Sequence, residues 1–385
     1  MKTSAVLILY GIVLIIPVIS EIHPPHRIFE TGSEAVANFS NTFLVADEIF
    51  TKTPVIDFTE KYASLPWDFF LDSTVEGGVF FNVNFEKKFR LGVSESITGS
   101  GHIKFSKELL ELLANGNRDT PDGNNSANIL VDARVYSDTS VSFMTFIKDT
   151  GIRLTPSLFL PLIYADTSTD PVIELIGDEK TGTTLHGKAD MQVYTPFDSN
   201  SNIDFGCAGW DFSLYVEFPL GAKMDMGMEI KHIPLASANL RYSSMYSVEY
   251  TGHLAVSGLE NNFESTLGES SENLNSVLIR RPVEFELLGI SRPARWLSFF
   301  FSVGLLFEQP FSGYYEFITD IHAGNILGFS LATQFRDKVY SQRIGISLDL
   351  RVLEFDIFAA SVSGNFQKSF QMAGIAVGAG VRFGI

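Results

Sequence analysis

The chain has 385 residues, 45% of them hydrophobic, a formal net charge of -17, one cysteine, and 34 phenylalanines against 12 tyrosines. Its mean hydropathy of +0.15 is high for so acidic a chain. The charge excludes a general nucleic-acid binder, which needs clustered Lys and Arg against phosphates. The single cysteine excludes an intramolecular disulfide framework, and the hydrophobicity excludes a mostly disordered chain.

In chain order, Lys2 precedes an apolar run over residues 6–18, and Val18-Ile19-Ser20 offers a cleavage site. This is the layout of a secretory signal peptide over residues 1–20. The run is too short for a spanning helix, which needs about 20 apolar residues. Residues 21–75 form a separate N-terminal segment. Within it Val36, Phe39, Phe43, Ala46 and Phe50 follow helical spacing, and Ser33-Glu34 reads as an N-cap with a first-turn acid. The spacing predicts an amphipathic helix, either a plug inside a barrel lumen or a helix packed at the barrel's edge. Phe39, Phe43 and Phe50 are candidate ligand contacts on that segment.

Residues 76–385 alternate. Phe81, Val83 and Phe85 are interleaved with Asn82, Asn84 and Glu86, and Phe89, Leu91 and Val93 with Arg90, Gly92 and Ser94. Trp210, Phe212, Leu214, Val216 and Phe218 follow the same rule. So do Met224, Met226, Met228 and Ile230 against Asp225, Gly227, Glu229 and Lys231. The closing stretch sets Ile375, Val377, Ala379, Val381 and Phe383 against Gly378, Gly380, Arg382 and Gly384. Period two puts one set on each face of a strand. These runs have the length of about 9–11 residues that a tilted strand needs to cross a bilayer. The apolar sets suit lipid and the mixed polar sets suit a lumen. Only helices and closed barrels satisfy every backbone group in hydrocarbon, so the pattern predicts an all-β fold, a transmembrane antiparallel β-barrel of about 14 strands. Candidate strands lie near residues 78, 88, 127, 139, 183, 209, 221, 245, 283, 297, 325, 342, 353 and 372. Their parity does not close, and a strand at 314–317 or 151–160 is the place to look for the missing wall.

Two stretches do not alternate. Residues 108–114 carry Leu109, Leu110, Leu112 and Leu113, a cluster that either receives an apolar ligand or packs on itself. Residues 119–126 and 260–276 read as solvated external loops. No Gly-x-Ser-x-Gly, P-loop or His-Glu-x-x-His motif is present. The seven histidines are scattered, so no enzyme, cofactor or metal centre is expected. Cys207 reads as a buried free thiol. Alternation aims Arg90, Lys188, Lys223, Asp225, Arg343, Arg351 and Arg382 into the lumen. There they either form a paired network that fills the barrel or receive a ligand's carboxylate. The acidic balance of the chain favours cations at an open mouth.

The N-terminal segment ahead of the barrel, the fourteen or so long strands, the Leu- and Phe-rich non-strand segments and the closing Gly378-Ala379-Gly380-Val381-Arg382-Phe383-Gly384-Ile385 resemble the FadL-like outer-membrane transporters of long-chain fatty acids and related hydrophobic compounds. The resemblance covers the layout of the mature chain rather than residue identities. It implies a hatch over residues 21–75 that plugs the lumen, a kinked strand opening sideways to the bilayer, and uptake of hydrophobic small molecules through a bacterial outer membrane. A general or cation-preferring porin and a surface adhesin barrel are the alternatives. The expected partners are the lipid bilayer, a hydrophobic ligand and the barrel-assembly machinery, with no nucleic acid and a monomeric state.

Overall fold

The computed structural model describes residues 28–41, 69–85, 88–107, 125–167, 172–178, 182–198, 200–254, 262–270, 276–308, 311–324, 326–336, 339–371 and 374–385. Twenty strands run through these described residues. The first five are β1 (Phe29–Asn41), β2 (Phe69–Phe85), β3 (Phe89–Phe105), β4 (Asn125–Ile147) and β5 (Thr150–Thr167). Then come β6 (Val172–Asp178), β7 (Gly182–Thr195), β8 (Gly209–Pro219), β9 (Met224–Ala236), β10 (Ala238–Leu240), β11 (Tyr242–Leu254), β12 (Asn262–Ser270) and β13 (Val277–Ile279). The remainder are β14 (Val283–Ala294), β15 (Leu297–Phe307), β16 (Ser312–Ala323), β17 (Leu327–Arg336), β18 (Val339–Asp349), β19 (Leu353–Ser363) and β20 (Gly374–Gly384).

Fourteen of them close a wall. The order is β1-β2-β3-β4-β5-β8-β9-β14-β15-β16-β17-β18-β19-β20, and β20 returns to β1 along Glu30↔Gly384 to Phe39↔Ile375. Every neighbouring pair is antiparallel. Closure removes both sheet edges, which is what lets strands stand in hydrocarbon. No helix among the described residues is long and apolar enough to cross a membrane.

Side chains sort as period two requires. On β15 and β16, Val303, Leu305, Phe307, Tyr315 and Phe317 are exposed on the outer face, while Ser298, Phe300, Ser302, Tyr314 and Ile318 are buried inside. Phe383 on β20 and Phe355 on β19 face out as well, and Arg382 faces in at 7% exposure. The outer phenylalanines also stack, Phe299 on Phe317 at 6.0 Å and Phe85 on Phe89 at 4.2 Å. The apolar surface of this acidic chain is thus turned to lipid.

The two ends of the barrel differ. One carries the short turns after β2, β4, β8, β14, β16 and β18, with both β1's start and β20's end beside them. These turns are tight enough to need the left-handed region at Lys148, Gly221, Gly324 and Arg351. At the other end the chain makes its long excursions. There β4 extends upward to pair with β6, β5 pairs with β7 beyond its β8 ladder, and β7 pairs with β11, which pairs with β12. The β10–β13 pair packs with them. A small core of Phe159, Leu160, Cys207, Ala238, Leu240 and Ile279 fastens that pair and the single turn at Phe205–Cys207 to the top of β5. Each such fully buried aliphatic contributes roughly 1.5–3 kcal/mol. Cys207 is a free, fully buried thiol, as expected.

Three expectations change. The helix expected over residues 36–50 is strand through Asn41, so the wall begins at Phe29 rather than near residue 76. Residues 42–68, including Phe43 and Phe50, lie outside the described residues, as do residues 1–27. The physical reason is that β1 alternates with small outer residues, Ser33, Ala35 and Ala37, which leaves Val36 and Phe39 to mimic a helical stripe. The strand number of about fourteen agrees, but its membership differs. Residues 127 and 139 share β4, and 183 and 245 belong to β7 and β11 outside the wall, while β1, β5 and β16 take their places. With β5 and β16 counted, parity closes.

Candidate functional site: the barrel interior and the β1–β2 seam

Inward-facing charges on strands one to three places apart in the wall meet in the interior. Lys231 on β9 donates to Glu286 at 2.8 Å and Glu284 at 3.2 Å on β14, with Glu229 at 3.8 Å. Arg153 on β5 reaches Glu229 at 3.0 Å, Arg336 on β17 reaches Glu284 at 3.4 Å, and Arg343 on β18 reaches Glu316 on β16 at 3.0 Å. The Tyr314 hydroxyl donates to Glu284. In these direct pairs four cations meet four carboxylates. Glu76 on β2 adds a fifth carboxylate within electrostatic range of Arg336 and Lys231. Breaking one member of such a buried set costs roughly 3–5 kcal/mol because it strands a charge.

A repeated stack builds this interior. Tyr215 lies on Gly227 with Arg153 over its ring at 4.7 Å; Tyr314 lies on Gly304 with Arg336 over it at 4.8 Å; Phe358 lies on Gly378 with Arg343 over it at 5.0 Å. Glycine lets the ring lie flat against the neighbouring strand, and the ring's face then carries the guanidinium. A Cβ at Gly227 would sit 2.8 Å from the Tyr215 ring.

Nearer the long-loop end, Arg134 on β4 bonds Asp132 at 2.7 Å and crosses to Glu308 after β15 at 3.0 Å. Arg281, from the segment before β14, binds Asp211 on β8 at 2.8 Å, Ser157 on β5 at 2.7 Å and Asp138 on β4, and it covers the Phe159 ring at 4.7 Å. It pins the outer excursions to the lumen wall. Below the central network an apolar layer of Leu288, Ile290, Phe300, Ile318 and Ala332 closes in.

The wall itself has one weak line. The β1–β2 ladder consists of Phe29↔Val83 at one end and Ser40↔Asp72 with Asn41↔Leu71 at the other. Between them β1 is fully paired to β20 and β2 to β3, but not to each other. Across the gap, the Thr31 hydroxyl donates to the Phe80 carbonyl at 2.8 Å. Small residues line both strands: Ser33, Ala35 and Ala37 on β1, Gly77 and Gly78 on β2. The ring of Phe80 fills the space beside Gly32 from within. At the upper end of the seam Asn38 Oδ1 and Ser40 Oγ are buried without a hydrogen-bond partner among the described residues.

The candidate site residues distribute as follows. Arg90, 8% exposed, faces in and its Nε bonds Asn84 Oδ1 at 2.6 Å. Arg343 and Arg382 face in, the latter 3.6 Å from Glu354. Lys188 stands on β7 opposite Glu249 of β11, outside the wall. Lys223 and Arg351 sit on short turns, where Lys223 Nζ donates to the Pro293 carbonyl at 2.7 Å and Arg351 N–H to Asp349 Oδ1 at 2.8 Å. Turn residues escape the alternation, which is why those two miss the lumen. Phe39 points outward at 54% exposure, opposite Ile375, and therefore meets lipid and not a plug. The inward cations do not converge on one carboxylate site; each has its own acidic or polar partner. Arg153, Arg336 and Arg281 went unread. The first two alternate correctly within β5 and β17, while Arg281 acts from a loop and leaves no periodic signal.

No family model matches the chain, and no curated protein matches it. Similar solved structures include the toluene transporter TodX of P. putida, at 8% identity, TM-score 0.45, covering 92% of this chain and 88% of that one. The Ralstonia pickettii toluene transporter TbuX is similar at 8% identity and TM-score 0.46, covering 93% and 89%. A Pseudomonas aeruginosa FadL homologue is similar at 10% identity and TM-score 0.45, covering 93% and 90%. At these identities and scores the likeness is one of barrel layout and assigns no cargo to this chain.

Proposed function

We propose that this protein is a monomeric barrel of a bacterial outer membrane that takes up hydrophobic small molecules such as long-chain fatty acids, passing them sideways through its wall. The observation that carries the reading is the β1–β2 seam, where the ladder is missing between Phe29↔Val83 and Ser40↔Asp72. Neighbouring strands of a wall in hydrocarbon normally pair along their whole length; here no register partner joins β1 to β2 between those positions and small side chains line both strands, so this is where the wall is built to part. The lumen is narrowed by a dense network of paired charges, which opposes a wide aqueous pore and so favours this reading over a porin.

On this reading residues 1–20 are a cleaved signal peptide, the short-turn end faces the periplasm and the long excursions face outward. Closure of the wall by β20 on β1 of the same chain supports the monomer. Expression in a diderm host lacking its own fatty-acid uptake tests the proposal. Uptake of labelled long-chain fatty acid should be restored; failure with folded protein in the outer membrane contradicts it.

A further inference from the structure

The short-turn end is charged opposite to the chain as a whole. Lys88, Lys148, Lys223, Arg295 and Arg351 each stand on a different short turn, in a protein of net charge -17. Between the β8–β9 turn, the β14–β15 turn and the end of β16 lies a cavity of about 490 Å³. Lys223, Arg292, Arg295, Ser298 and His322 supply its polar groups and Leu297 an apolar side.

The cavity is constructed, because Lys223 and Arg292 are held by bonds between its two turns. Lys223 Nζ donates to the Pro293 carbonyl at 2.7 Å, and the Arg292 N–H donates back to the Lys223 carbonyl at 2.8 Å. Arg292 is set by Asp225 Oδ2 at 2.7 Å. Ser298 Oγ lies 3.5 Å from His322 Nε2. No carboxylate lines the cavity; Asp225 offsets Arg292, and Asp320, one position deeper on β16, accepts from the Ser298 hydroxyl and acts on His322. Lys223 and Arg295 therefore bring two positive charges that no lining acid offsets. That excess repels metal cations and attracts oxyanions, which a fork of guanidinium and ammonium donors binds well. Trp296, 57% exposed beside Arg295, is the amphipathic ring expected where a barrel meets the membrane surface.

We propose that this cavity binds the oxyanion headgroup of an amphiphile, with Lys223, Arg292 and Arg295 supplying charge, His322 a hydrogen bond, and Leu297 the contact with the start of the chain. The site stands independently of the transport reading. One chemistry has two sources here: the phosphate of a phospholipid in the adjoining leaflet, or the carboxylate of a free fatty acid in that leaflet.

Native mass spectrometry of the full chain released from zwitterionic micelles distinguishes them, with dodecyl phosphate, dodecanoate or uncharged dodecanol added at equal concentration. The wild type should retain one oxyanion amphiphile per chain and no dodecanol. The double variant Lys223→Gln/Arg295→Gln, whose changes fall on exposed turns, should retain about tenfold less. Lys88→Gln/Lys148→Gln, which removes two cations from other short turns, should retain as much as the wild type. Stronger retention of dodecyl phosphate identifies the phospholipid as the source, and stronger retention of dodecanoate the leaflet's free fatty acid. Equal loss in both double variants, equal retention of dodecanol, or no effect of Lys223→Gln/Arg295→Gln overturns the site.

Discussion

At the scale of the residue, orientation on a strand sets what a side chain costs. Glu95 shows this on the lipid side. It is exposed on the outer face of β3 between Val93 and Ile97. Its carboxylate accepts from the Ser137 hydroxyl at 2.9 Å and from Thr139 on β4. Two hydroxyls do not replace water, and a carboxylate on the lipid face of a barrel destabilises it, by less than the roughly 2–4 kcal/mol of a midplane Arg or Lys. Glu95→Leu should therefore raise stability by about 1 kcal/mol, read from urea unfolding of the barrel in lipid vesicles. A loss of stability would mean that the carboxylate is covered by something other than hydrocarbon. The same residue-level logic explains which charges were legible. Arg90, Arg343 and Arg382 lie inside strands whose neighbours alternate, so their inward aim could be read directly. Lys223 and Arg351 continue the same numerical parity but fall on turns, where parity no longer fixes direction.

At the scale of the element, strands were readable where the outer set was bulky and hidden where it was not. β3, β8, β9 and β20 carry Leu, Val, Phe, Met or Trp on the outer face and announce themselves. β1 carries Thr31, Ser33, Ala35 and Ala37 there, so its few large residues took on the spacing of a helix. β5 was obscured in another way: Pro156 and Pro161 interrupt an apolar run, and prolines argue against a central strand. The wall accommodates them where the β4–β5 ladder skips Pro156 and shifts register beside Pro161. β7 and β11 alternate well yet pair beyond the wall, which explains how the total could agree while its members differed.

The excursions at the long-loop end depend on Arg281 as an element depends on a cap. It holds Asp138, Asp211 and Ser157 and sits two positions after β13, whose Ile279 shares the small core with Cys207. Burial pushes the Cys207 thiol above its usual pKa and keeps it unreactive. Arg281→Ala strands two carboxylates, at a cost of roughly 3–5 kcal/mol, and should loosen that core. Maleimide labelling of Cys207, near zero in the native protein, should rise at least about tenfold. Unchanged protection would show that the small core stands without the arginine.

At the scale of the whole molecule, the opposition between a hydrophobic composition and an acidic balance resolves into geometry. Most exposed phenylalanines lie on the outer face, charges pair within the lumen, and the long excursions and short turns take opposite ends. Period two alone led to the barrel and to its outer face. It could not reveal which inward charges meet, because partners such as Arg153 and Glu229 lie 76 residues apart in the sequence, nor that one pair of neighbouring strands is left unladdered. The seam is a property of two strands' register and emerges only when both are placed.

The claim that molecules leave through the wall is tested most directly by locking the seam. The register set by Phe29↔Val83 and Ser40↔Asp72 puts Ala35 opposite Gly77. In the variant Ala35→Cys/Gly77→Cys, oxidation should tie the strands together and abolish fatty-acid uptake in the deficient host, and reduction should restore it. Cys207 is buried and takes no part. Undiminished uptake by the fully oxidised variant would contradict a lateral path through this wall.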